Sequence, residues 1–117
     1  MINNLGFNKI GDEGVPFLHK FTKLNTLWLC SNSITGKGIE KLGEGKFPNL
    51  YSLILSKGVD TIGGNKFGDE IKLLHKFKTL QALFLQGVGL TEKGVEILSN
   101  SEFSNLQLLD LSTKINI

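Results

Sequence analysis

The sequence contains no arginine: all thirteen of its basic residues are lysine, set against eleven acidic ones for a net charge of +2. Arginine is the side chain best suited to bidentate phosphate recognition and to arginine-finger catalysis, so its absence argues against both. The lysines alternate with acidic residues rather than forming a basic run, and no nucleic-acid partner is expected. Cysteine is nearly absent as well. Cys30 alone excludes an intramolecular disulfide and any cysteine-based metal cluster, and it fits a reducing compartment. No stretch approaches the roughly 20 apolar residues of a membrane helix, and the first residues lack a signal peptide's basic and apolar regions. The expectation is a cytoplasmic chain with no membrane contact, or an internal piece of something longer. A hydrophobic content of 40% and a charged content of 21% are ordinary for a folded protein, so one domain with a modest core is expected.

What the chain does have is repetition. Leu24-Asn-Thr-Leu27-Trp-Leu29 returns as Leu50-Tyr-Ser-Leu53-Ile-Leu55, as Leu80-Gln-Ala-Leu83-Phe-Leu85 and as Leu106-Gln-Leu-Leu109-Asp-Leu111, at intervals of 26, 30 and 26 residues. A truncated first copy keeps Leu5, Asn8 and Ile10 at matching offsets. The segments between follow two alternating patterns. Ile34-Thr35-Gly-Lys-Gly38 through Leu42 matches Leu90-Thr91-Glu-Lys-Gly94 through Leu98. Asn8-Lys-Ile-Gly-Asp12-Glu13 with Leu18-His19-Lys20-Phe21 matches Asn65-Lys-Phe-Gly-Asp69-Glu70 with Leu74-His75-Lys76-Phe77. The double period of about 56 residues points to duplication of a two-repeat unit.

Within each LxxLxL the leucines alternate with variable residues, which predicts strands with one buried face. Leu27, Leu29, Leu53, Leu55, Leu83, Leu85, Leu109 and Leu111 are expected to point inward. Thr35 and Thr91 stand where helix N-caps belong, and Asp12, Glu13, Asp69 and Glu70 suit the positive end of a helix dipole. Ile39 with Leu42, and Val95 with Leu98, recur at helical spacing and are expected to close the core.

The pattern LxxLxL-xxN-I-T-xxG-xxxL, fullest in residues 24–49, resembles the leucine-rich repeat family and its ribonuclease-inhibitor-like class. The resemblance covers the whole chain as one domain, residues 1–117, with repeats at about 1–23, 24–49, 50–79, 80–105 and a partial 106–117. It implies an α/β leucine-rich-repeat solenoid, with a curved parallel sheet on the concave face and short helices on the convex face. The family's asparagine is kept at Asn8 and Asn32, but Gly58, Val88 and Lys114 stand in the later copies, leaving the hydrogen-bonded turn there without its side chain.

An open concave face makes its outward residues informative. The centres of the LxL triplets read Asn4, Trp28, Ile54, Phe84 and Asp110, so Trp28, Ile54 and Phe84 are expected to form an apolar ridge roughly 10 Å long. They are the candidate partner-binding residues, with Thr26, Ser52, Cys30, Ser56 and Gln86 as the polar surround. The third repeat carries about seven extra residues, Gly58 to Gly64, as a surface loop, where Asp60 and Lys57 are minor candidates. His19 and His75 fall at equivalent places two repeats apart, which the repeat itself explains, and they are assigned no role. Cys30 lacks an adjacent base and reads as a neutral thiol. The glycines of Gly36-Lys-Gly38 and Gly43-Glu-Gly45 fit neither nucleotide-binding motif and serve turns and close packing.

No catalytic residue, metal or cofactor is expected, and the leading expectation is a non-catalytic module that binds a protein through its concave face. The alternative is an uncapped fragment of a larger leucine-rich-repeat receptor, effector, ligase or small-GTPase regulator, in which the repeats only position another domain. No capping helix is visible at either end of the array, so self-association through open ends is a further expectation.

Overall fold

Each leucine triplet forms a strand of three residues, in a computed structural model that describes residues 2–6, 8–30, 32–57 and 65–112. The strands are β1 (Ile2–Asn4), β2 (Thr26–Trp28), β3 (Ser52–Ile54), β4 (Ala82–Phe84) and β5 (Leu108–Asp110). They form one parallel sheet in simple chain order, β1-β2-β3-β4-β5. Parallel neighbours need a crossover, and here each crossover carries one helical element. The class is therefore α/β. The insertion Gly58–Gly64, with Asp60, and Lys114 lie outside the described residues.

Between the strands run α1 (Gly11–Gly14), continued by a 3-10 helix at Val15–Lys20, then α2 (Gly36–Gly43), a 3-10 helix at Asp69–Lys76, and α3 (Glu92–Ser99). The two repeat patterns thus give two kinds of helix. In the second kind, Ile71, Leu74 and Phe77 are buried three residues apart, the period of a 3-10 helix. In α2, Gly38, Ile39 and Leu42 are buried, at the one- and four-residue spacings of an α-helix. As expected, Thr35 and Thr91 cap α2 and α3, accepting hydrogen bonds from the amides of Lys37 and Gly94.

The sheet is not curled, contrary to the curvature expected of it. Bending requires an outer layer wider than the 4.8 Å strand spacing. Here the outer layer is built from short helical elements, with 3-10 helices alternating with α-helices of eight residues, and 3-10 turns are narrower than α-helical ones.

The core lies between sheet and helices. Leu27, Leu29, Leu53, Leu55, Leu83 and Leu85 are all buried there, with Ile39 and Leu42 of α2 closing over them. Burying one such side chain is worth roughly 1.5–3 kcal/mol, which is how three-residue strands persist. Two expectations fail at the last repeat. Leu109 remains 39% exposed and Val95 is exposed, because β5 and α3 have a stacked neighbour on one side only among the described residues. Leu98 does pack inward.

Two side-chain columns tie the coils together. Asn32 and Asn65 are fully buried. Asn65 Nδ2 donates to the carbonyls of Leu29 (2.9 Å) and Leu55 (3.0 Å), while its Oδ1 accepts from the amides of Asn32 (3.1 Å) and Ile34 (2.9 Å). Asn32 does the same one coil earlier, donating to Leu5 and Cys30 and accepting from Ile10. The third copy therefore keeps its asparagine after all: the extra residues precede it, and Asn65 rather than Gly58 holds the turn. The second column is phenylalanine. Phe21, Phe47, Phe77 and Phe103 each present a carbonyl to the amide of the leucine three residues on, and Phe47 meets Phe77 edge-to-face at 5.9 Å.

Candidate functional site

The register of the sheet decides which side chains meet on its uncovered face. Asn4, Trp28, Ile54, Phe84 and Asp110 are consecutive partners across the five strands, and Thr26, Ser52, Ala82 and Leu108 form the adjacent row. Since side chains alternate along a strand, both rows point away from the leucine core. Among the described residues no helix lies over this face, and Trp28 is 42% exposed on it.

Thr26, Trp28, Cys30, Tyr51, Ser52, Ile54 and Phe84 line an open depression of about 480 Å³. Six of the eight candidate residues are thus brought together. Tyr51, 43% exposed, is the one lining residue the sequence reading missed. It sits before the strand proper, outside the alternation that picked out the others. The only tryptophan, tyrosine and cysteine of the chain all line this one depression. Leu108, 49% exposed on the row that also holds Thr26 and Ser52, was missed as well.

The remaining two candidates, Ser56 and Gln86, lie outside this lining. Ser56 is buried, and its hydroxyl accepts from the Gln86 amide at 3.1 Å. The Gln86 side chain donates to the Asp110 carboxylate at 2.8 Å and to the Ser112 hydroxyl at 3.3 Å. Asp110 also accepts from the Ser112 amide.

Chemically the depression is apolar and uncharged. Burial pushes the Cys30 thiol above its usual pKa, outweighing a backbone hydrogen bond that lowers it, so the sulfur is a neutral thiol at pH 7. No histidine, carboxylate or lysine lines the depression beside the thiol or the Thr26 and Ser52 hydroxyls. Among the described residues there is no group of three or more histidine, cysteine, aspartate or glutamate side chains able to hold a metal ion. No helix among them is long and apolar enough to cross a membrane. His19 packs edge-on against Phe47 and donates from Nε2 to the Lys41 carbonyl at 2.8 Å, tying one coil to the next. Among the described residues the buried His75 Nδ1 has no hydrogen-bond partner.

A somewhat larger depression, about 580 Å³, lies between the loops entering β3 and β4, lined by Lys46, Phe47, Pro48, Lys76, Phe77 and neighbours. Its aromatic floor is already engaged, since Phe47 and Phe77 are buried against each other. The open sheet face, with its exposed aromatics, is the better candidate. No protein-family model and no curated protein matches this chain.

Proposed function

We propose that the chain is a leucine-rich-repeat solenoid of the ribonuclease-inhibitor-like class and a non-catalytic module that binds a protein partner through its open sheet face. The observation that carries this reading is the contiguous row Trp28, Ile54 and Phe84, lying uncovered with Tyr51 beside it. Exposed contiguous apolar surface tends to mark interaction sites, and tryptophan and tyrosine are enriched among residues that carry interface energy. Sequential stacking of all five strands supports the repeat architecture. The uncharged lining favours binding over catalysis, because it offers neither a base nor an activated nucleophile.

Replacing Trp28 and Phe84 together with alanine tests this. Both side chains lie on the open face, so the far-ultraviolet circular dichroism should be retained. Affinity for a captured partner should fall by about 30-fold or more, the loss typical of removing a hot spot. Unchanged affinity in the double variant would overturn the reading.

A further inference from the structure

The open face has a direction. Its central row runs from neutral Asn4 through three apolar side chains to Asp110, the one charged residue in any of the five strands. Asp110 makes no ion pair among the described residues. Its hydrogen bonds from Gln86 and Ser112 leave acceptor capacity on a carboxylate that offers about four lone-pair sites. The face is also small. Five three-residue strands span about 19 Å by about 10 Å. A depression of about 480 Å³ suits one or two large side chains. From Trp28 to Asp110 are three strand spacings, about 14 Å, which an extended chain covers in about four residues.

Resting on the binding role proposed above, we infer that the open face takes a short extended segment of a partner chain, crossing the strands, with uncharged apolar side chains over Trp28, Ile54 and Phe84 and a basic side chain over Asp110. The apolar row supplies the contact area. The single carboxylate sets the orientation, since a reversed segment would leave its cation beside Asn4. An acidic residue at the same end is disfavoured by like charge.

Three capped tetrapeptides provide the test: acetyl-Phe-Leu-Val-Arg-amide and its counterparts ending in Gln and Glu. None contains tryptophan or cysteine, so the intrinsic fluorescence of Trp28 and the thiol reactivity of Cys30 both report on the face directly. The expected order of affinity is Arg over Gln over Glu, with Arg and Gln separated roughly two- to fivefold at low salt, as for an exposed ion pair. Added salt should narrow that gap. D110N, which keeps the acceptor for Gln86, should erase it, and F84A should weaken all three peptides. Equal affinities that still depend on Phe84 would overturn the charge-directed proposal while leaving the apolar face as a binding surface. The same order persisting in D110N would overturn it too, as would failure of every peptide to bind. The broader reading would then be judged separately, by whether a captured partner depends on Trp28 and Phe84.

Discussion

At the scale of single residues, position within the repeat matters more than residue type. Asn8 and Asn65 are matched in sequence, yet Asn8 is exposed and donates only to Leu5 and Gly6, whereas Asn65 is buried with partners on two neighbouring coils. Removing a buried partner leaves each of its former donors and acceptors unsatisfied, at roughly 1–3 kcal/mol apiece. Asn65→Ala should therefore cost about 3 kcal/mol or more, and Asn8→Ala less than about 1 kcal/mol. Urea unfolding of the two variants checks this, and equal losses would contradict it. His19 and His75 diverge in the same way. In one, a ring nitrogen bonds Lys41; in the other, Nδ1 has no partner among the described residues, while the Ile97 carbonyl, equivalent to that of Lys41, accepts from the Ser101 hydroxyl.

At the scale of elements, the helices depend on their neighbours. α2 lies between the two 3-10 helices, and its N-terminus is approached by carboxylates from both sides. Asp12 accepts from the Thr35 amide and hydroxyl, and Glu70 lies against Gly36 so closely that any β-carbon there would displace it. Negative charge at a helix N-terminus is favourable, and Asp12 and Glu70, which stand in the first turns of their own helices as expected, also face the start of α2. Among the described residues, Thr91 caps α3 through the Gly94 amide with no carboxylate bonded to it. Thr91→Ala should cost about 1 kcal/mol, the usual value of a cap. Thr35→Ala should cost up to about 2 kcal/mol, because the Asp12 contact is lost as well. Thermal denaturation of the two variants, and of Asp12→Asn, would show whether the difference comes from Asp12. The Lys41–Glu13 pair at 3.0 Å contributes little beside this, since Glu13 is almost fully exposed.

For the whole molecule, stacking is the source of stability, and its gradient is visible at β5. Leu27, Leu53 and Leu83 are buried between neighbouring coils, while Leu109, in the same column, stays part-exposed. We propose that this surface takes up a coil of a second copy of the chain. Sedimentation should show concentration-dependent association of the 117-residue chain, and Leu109→Lys should suppress it. A strictly monomeric native chain at high concentration would rule out association between copies.

The leucine spacing by itself determined the strands and which residues face away from the leucines, because a period of two leaves one face per strand; their parallel stacking order, which aligns Asn4, Trp28, Ile54, Phe84 and Asp110 in one row, was only implied by the resemblance to leucine-rich repeats. The alternation of two unit types also foreshadowed two kinds of helix. Only the tertiary structure decided the rest. Asn65 holds its turn despite the extra residues before it, because a buried amide is satisfied by whichever residue reaches it in space. Ser56 and Gln86 fall outside the depression, each bonded to a residue of the next coil, Gln86 to Asp110 of the open row. Tyr51 joins the depression from outside the strand pattern, and Leu109 stays part-exposed although its sequence context is that of a core leucine. In each case burial depends on contacts between coils, which no single repeat contains.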